Sequence, residues 1–421
     1  MLKTLLKEKK MDKVKRLRHL NDFRSVHVGG KLNNGGKAGL SSRNSNNDLS
    51  NSNSNIGSQL SYSHLIQEVK PYLLVEQKNN KNGISSNMQE SSNKIAKLPK
   101  KLGNIYPLFY SEDNIRLAFK NAMKGKTHYK QVKKIQENIK YYIDDLHKML
   151  KNRQFVNGKY KVFKKESGNK IREIYKLPFY PDRVVHHCIL QVLEEFWKRS
   201  LITDTYSTIP GRGPHLCAKK LKKVLSKPKY NYKYCLKLDI KKYYPSIDHN
   251  VLKKIIRKKI KDKYTLELLD KIIDSEKGIP IGNYISQWFG NLYLNPLDHY
   301  AKEKLRIKQY YRYCDDIVIL AKDKKTLWTW FEKIKKFANT RLKLKIKNNY
   351  QVFPISKRGI DFLGYRFFQG YTLVRKRIIK AFKQKLKHPK SKASYFGWII
   401  HADSYRFRQK YFMEEYAKCQ T

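Results

Sequence analysis

Acidic residues are scarce in this sequence. Asp and Glu number 35 against 91 Lys and Arg, which leaves a formal net charge of +56 over 421 residues. A compact chain so unbalanced repels itself, so a polyanionic partner is expected, and nucleic acid fits best. Cysteines are also few. Cys188, Cys217, Cys235, Cys314 and Cys419 include no CxxC pair, which argues against a zinc site and fits a reducing, intracellular setting. No apolar run approaches the roughly 18 residues of a membrane helix. No amphipathic anchor is visible either, so an anionic membrane surface is the weaker reading of the charge. The first residues, MLKTLLKEKK, lack the apolar stretch of a signal peptide. The expected location is therefore the cytoplasm, with no membrane partner.

Large apolar residues nearly vanish from about residue 28 to residue 100, where SSRNSNNDLSNSNSNIGSQLSYS is typical. Such a segment buries too little surface to offset chain entropy. With the basic helical pattern LLKEKKMDKVKRLRHL before it, residues 1–100 read as a largely disordered basic arm. Order begins near Tyr106. Ser111 opens a helical period through Ile115, Ala118 and Phe119, and residues 128–155 read as one longer helix. YKVFKKESGNKIREIYKLP alternates around a Gly-Asn turn and reads as a hairpin. Beyond it, strand CLKLD, helices, hairpin YYRYCDDIVIL, a helix and strand pair IDFLGYRFF follow in order. That succession predicts an α+β fold with a split βαβ arrangement, an antiparallel sheet with helices on one face.

The chemistry concentrates in the few acids. A tight turn at Asp315 and Asp316 aims two carboxylates off one sheet edge, and Asp239 ends the strand expected beside it. Three clustered carboxylates repel unless cations sit among them. Oxygen ligands suit Mg²⁺, and two such ions stabilise the attacking and leaving oxygens of a phosphoryl displacement. An Asp-Asp pair alone would be an ordinary turn; the third carboxylate and the basic chain change its meaning.

Six stretches, in order, resemble reverse transcriptases. KIREIYKLPFYPDRVV resembles their fingers motif, LKLDIKKYYPSIDH their first aspartate motif, and GIPIGNYISQ the loop that holds incoming nucleotide and template. YCDD resembles the YxDD box, LKLKIK the lysine-bearing segment after it, and FLGYRF the primer-grip strands. The likeness runs from about residue 104 to 385. It implies a right-hand polymerase: fingers and the start of the palm over 101–235, palm with the catalytic aspartates over 236–370 and helical thumb over 371–421. The implied activity is RNA-directed DNA synthesis, with an RNA template, a DNA or RNA primer and dNTPs as partners.

The resemblance assigns roles residue by residue. Asp239 and Asp315 would hold two Mg²⁺ ions (Mn²⁺ as a substitute), with Asp316 more peripheral and Ile240 adding its backbone carbonyl. Tyr244 would lie under the incoming sugar and exclude a 2′-hydroxyl. Lys170 and Arg172 would clamp the triphosphate. Lys345 would offer a proton to the departing pyrophosphate, with Lys347 as competitor. Gly282 would let backbone approach a ligand closely, and Gln287 would reach the template. Leu363, Gly364 and Tyr365 would press on the primer end. Most cellular relatives carry Gln-Gly and Ser-Pro in the nucleotide loop; here Ile281-Gly282 and Ser286-Gln287 stand instead. With QVFPISKRGIDFLGYRF and LVRKRIIKAFKQK, this pattern resembles the reverse transcriptases of diversity-generating retroelements, which are error-prone, bacterial or phage-encoded, and work with a small basic accessory protein. Related antiphage-defence enzymes are the alternative. A group II intron maturase is the nearest rival enzyme, and a basic nucleic-acid scaffold on an inactive polymerase fold is the rival from another class.

Overall fold

The computed structural model describes residues 101–167, 170–386 and 388–418. The arm expected over residues 1–100 lies outside the described residues. The hairpin forms as β1 (Lys161–Ser167) and β2 (Lys170–Lys176), a separate two-stranded sheet. β3 (Tyr234–Asp239), β4 (Tyr310–Tyr313), β5 (Asp316–Ala321) and β6 (Gln351–Pro354) form a four-stranded antiparallel sheet in the order β4-β5-β3-β6. β7 (Ile360–Phe362), β8 (Tyr365–Phe367) and β9 (Thr372–Val374) form a third.

The expected single helix over 128–155 is two, Lys130–Glu137 and Ile139–Lys151, broken at Asn138 with φ −127° and ψ 42°. An Asn side chain competes for nearby backbone groups, which favours a break there. The central sheet also differs from expectation, because both of its faces are covered. Leu236, Leu238, Ile317 and Ile319 join the main core with helices such as Val184–Ser200, Tyr284–His299 and Lys324–Leu342. Cys235, Val318, Leu320 and Phe353 join a second core with helix Pro214–Leu225 and the β7–β9 sheet. Two-sided burial explains the unbroken apolar run Ile317–Ala321 where a half-exposed strand would alternate. The basic tail folds as helices Lys376–Gln384, Pro389–Ile399 and Tyr405–Lys418, with a small core of Phe382, Ile399 and Phe412. No described helix is long and apolar enough to cross a membrane.

Candidate active site

The register of the central sheet builds the site. Asp239, the last residue of β3, is the partner of Asp316, the first residue of β5. Cross-strand partners point to one face, so two carboxylates face the same side. Asp315 sits with Cys314 in the turn between β4 and β5, and Cys314 adopts a positive φ of 57°. A non-glycine residue there is strained and must be held by its surroundings.

Two lysines stand against these acids. Lys347 pairs with Asp239, and Lys237 lies 3.3 Å from Asp316 Oδ2. Lys347 is brought in by main chain: its N–H donates to Asp239 O at 2.9 Å, and Lys241 N–H donates to Lys345 O at 2.8 Å. Of the two lysines weighed for proton donation, Lys347 touches the site. Lys345, the first choice from sequence, is exposed and does not line the cavity described below. Burial, followed by the neighbouring Asp239, pushes the Asp315 carboxyl up to about 7. Burial also pushes Asp316 up to about 6, against the opposing pull of Lys237. Asp239 Oδ1 and Asp316 Oδ1 are buried without a hydrogen-bond partner. Among the described residues no group of three or more acids, His or Cys stands ready-made as a metal centre. The acids nevertheless fit hard cations in chemistry: all donors are oxygens, two are unsatisfied, and ammonium groups already lie against the carboxylates.

Arg312, on β4, was not foreseen. It is wholly buried with Asp298 of helix Tyr284–His299. Its Nε donates to both oxygens of Asp298 at 2.8 and 2.9 Å, and Nη2 donates to Oδ2 at 2.6 Å. Nη1 donates to Cys314 O at 2.9 Å, so the guanidinium holds the strained turn that carries Asp315. Tyr310 Oη adds a 2.7 Å bond to Asp298. Burial works against the arginine's charge, but Asp298 more than offsets it and raises the pKa. The only hint in the sequence was a lone Arg inside a strand of tyrosines.

A cavity of about 1580 Å³ opens beside the turn. Asp315, Ile240, Tyr244 and Lys347 line it, together with Ile281 and Gly282 of the glycine-bearing loop, Gln287 in the first turn of helix Tyr284–His299, and Arg172 of β2. Lys170 opens β2, and its side chain lies outside the described residues. The hairpin is tied to the loop: Tyr175 N–H donates to Ile281 O at 2.8 Å. Gly282 has φ +129°, and a Cβ there would stand 2.5 Å from Tyr175 O. What approaches Gly282 closely is thus the protein's own hairpin. Tyr244 lies over Gly290, where a Cβ would meet its ring at 3.2 Å, and its Oη is 3.5 Å from Cys314 Sγ. Burial raises the Tyr244 pKa well above the ordinary value, so the phenol stays neutral.

Leu363, Gly364 and Tyr365 do not join this cavity. Leu363 and Gly364 form the β7–β8 turn with φ of 52° and 82°. A Cβ on Gly364 would stand 2.2 Å from Trp398, so glycine is required there twice over. Tyr365 is fully buried in the second core and donates to Trp398 O at 3.1 Å. The pleat of β8 turns the Tyr365 ring inward, so of the three residues expected at the primer end this one presents no ring to the surface.

Residues 162–367 match the family described as reverse transcriptase (RNA-dependent DNA polymerase). Protein YkfC of Escherichia coli (strain K12) is 25% identical over 261 residues, covering 52% of this chain and 67% of that protein. The group II intron-encoded protein LtrA of Lactococcus lactis subsp. cremoris is 20% identical over 274 residues, covering 48% of this chain and 45% of that protein. Apo telomerase from Candida tropicalis aligns with a TM-score of 0.39 at 15% identity, over 55% of this chain and 52% of that one. The chain thus spans under half of LtrA and about half of the telomerase. The family match encloses the hairpin, the glycine-bearing loop, all three aspartates and Lys347. Over residues 162–367, just under half of its length, the chain matches the reverse transcriptase family, the RNA-directed DNA polymerases.

Proposed function

We propose that the whole protein copies RNA into DNA, with Asp239, Asp315 and Asp316 as its catalytic acids. The observation that carries this reading is Asp239 set against both Asp315 and Asp316, with an unsatisfied oxygen on Asp239 and on Asp316, and Asp315 lining a large cavity in a cationic chain. Asp239, Asp315 and the Ile240 carbonyl are the groups that would hold Mg²⁺, which when bound neutralises charge on the attacking and leaving oxygens. Arg172 is placed to bind the triphosphate, and Lys347 to give a proton to the leaving group. Residues 376–418 supply the helices of a thumb, and the central sheet is the palm. The test is extension of a primer on an RNA template in Mg²⁺; a folded protein that extends nothing under these conditions refutes it.

Tyr244 supports selection of deoxynucleotides, since its ring is fixed between Gly290 and Cys314. Tyr244→Ala is expected to admit ribonucleotides, read by competing rNTP against dNTP in primer extension. An unchanged preference places sugar selection elsewhere.

Within this activity, the nucleotide loop favours an error-prone enzyme of the diversity-generating kind, with antiphage defence as its rival. Ile281 has no side-chain donor or acceptor where most relatives carry glutamine. A lost hydrogen bond is worth roughly 0.5–1.5 kcal/mol, up to about tenfold in discrimination. Ile281→Gln is expected to lower misincorporation, most of all at template adenines, in sequenced cDNA. Equally low error in both proteins speaks for defence. A second reading has support from the relatives: LtrA is named as a group II intron-encoded protein, so action on an intron RNA is the alternative role.

A further inference from the structure

The face of β3 that ends in Asp239 carries a cation one step earlier. Cys235, Lys237 and Asp239 alternate onto that face. Cys235 belongs to the second core, and Lys237 stands between that core and the acids. β3 is an interior strand, so Lys237 has a partner on each side, Val318 and Gln351. A half-buried lysine in such a place is costly unless its ammonium finds acceptors. It finds two. Nζ lies 3.3 Å from Asp316 Oδ2 and donates to the Asp361 carbonyl at 2.6 Å. Among the described residues it is the one ion-pair partner of Asp316, whose Oδ1 is buried without a hydrogen-bond partner. Neither Lys237 nor Asp316 lines the cavity, so the lysine acts on a carboxylate and not on a bound substrate.

Asp361 comes from β7, in the neighbouring sheet, and is itself fixed from further along the chain. Arg375 Nε donates to Asp361 Oδ1 at 2.7 Å, and its Nη2 pairs with the same oxygen. Main chain holds Arg375 on both sides. Its N–H donates to Gly364 O at 2.9 Å, and its carbonyl accepts the Ile378 N–H at 2.9 Å. Arg375 is the residue before helix Lys376–Gln384, the first helix of the basic tail. Charges thus alternate along one line, Asp316, Lys237, Asp361, Arg375, from the start of β5 to the root of that tail.

We propose that Lys237 is a positioning residue for Asp316, and that the Asp361–Arg375 pair fixes its setting from the first helix of the tail. Asp316 faces Asp239 across the strands, and two carboxylates in register repel. A lysine clipped at two points draws Asp316 to one side and offsets that repulsion. The consequence for DNA synthesis rests on the polymerase reading.

The test uses the full chain and has an arm without synthesis. Urea midpoints are read at pH 8 in metal-free buffer for Lys237→Met, Asp316→Asn and the two combined. Lys237→Met should lower the midpoint where Asp316 is intact, because a carboxylate is left unpaired against Asp239. It should lower it far less in a chain that also carries Asp316→Asn. An equal loss in both backgrounds makes Lys237 a packing residue and overturns the proposal. In Mg²⁺ on an RNA template, Lys237→Met should cut kcat roughly 10–100-fold, the usual scale for a group behind a metal site. The KM for dNTP should stay within about twofold. Lys237→Arg keeps the charge and should recover most of the rate; Lys237→Gln replaces Lys237→Met if the latter does not fold. Arg375→Gln should cut kcat about 3–10-fold and should add less than about twofold on top of Lys237→Met, since both act through Asp361. A raised KM with kcat intact overturns the positioning role, and losses that multiply in full overturn the link to the tail. So does weakened single-stranded RNA binding by Arg375→Gln with kcat intact, which gives that arginine to the strand. A chain that extends no primer yet shows the background dependence in urea upholds the Lys237–Asp316 pairing and sinks only the polymerase reading.

Discussion

Replacing Asp315 with Asn is expected to abolish DNA synthesis and, in the same metal-free protein, to raise stability. The two effects share one cause. Asp315 is half-buried against Asp239, and its carboxyl is pushed up to about 7, burial first and the neighbouring acid second. An unfolded aspartate titrates near 3.9. The ionised form is therefore disfavoured by the fold: the strain is absent below about pH 4, grows as pH rises to 7, and is complete above it. Asn carries no such charge, so its advantage should grow over that window. Partial exposure reduces the gain to roughly 1–2 kcal/mol at pH 8, or about 2–4 °C in Tm. Synthesis on an RNA template in Mg²⁺ should fall by about 10³-fold or more, while single-stranded RNA binding stays within about twofold. Asp239→Asn should lose synthesis to the same degree. Extension assays and melts at pH 5 and pH 8 check both arms. Retained synthesis removes the acids from catalysis, and a Tm lowered at pH 8 shows that Asp315 is not a strained charge.

Asp298→Ala should be the most destabilising single change near the site. It leaves the Arg312 guanidinium buried, stripped of its three bonds to a carboxylate. Removing one member of a buried pair typically costs about 3–5 kcal/mol, because the remaining charge is uncompensated. The same guanidinium holds the Cys314 carbonyl, so synthesis should fall even at temperatures where the variant is folded. The paired replacement Asp298→Leu with Arg312→Met removes both charges and should recover much of the stability but not the activity. Urea denaturation and extension at a low temperature separate the two. If the double variant regains full synthesis, the arginine does not position the turn.

Much of this was legible in the residues alone. Periodicity placed most strands and helices, and the scarcity of acids made Asp239, Asp315 and Asp316 conspicuous. Those signals are local, carried by side chains a few positions apart, or compositional. What tertiary structure decided was always a matter of distant segments meeting. That Lys347 rather than Lys345 lies against Asp239 depends on how residues 345–347 zip against the end of β3, which spacing cannot tell. Tyr365, which the resemblance sets at the primer end, is buried under Trp398 of helix Pro389–Ile399. Arg312 looks like one more cation in a basic chain until Asp298 arrives from another helix. Gly282 was read as a place where backbone approaches a ligand; the backbone that approaches it is Tyr175, from a hairpin about a hundred residues earlier. A sequence reveals which groups are chemically unusual; which of them touch is settled by packing between segments far apart in the chain.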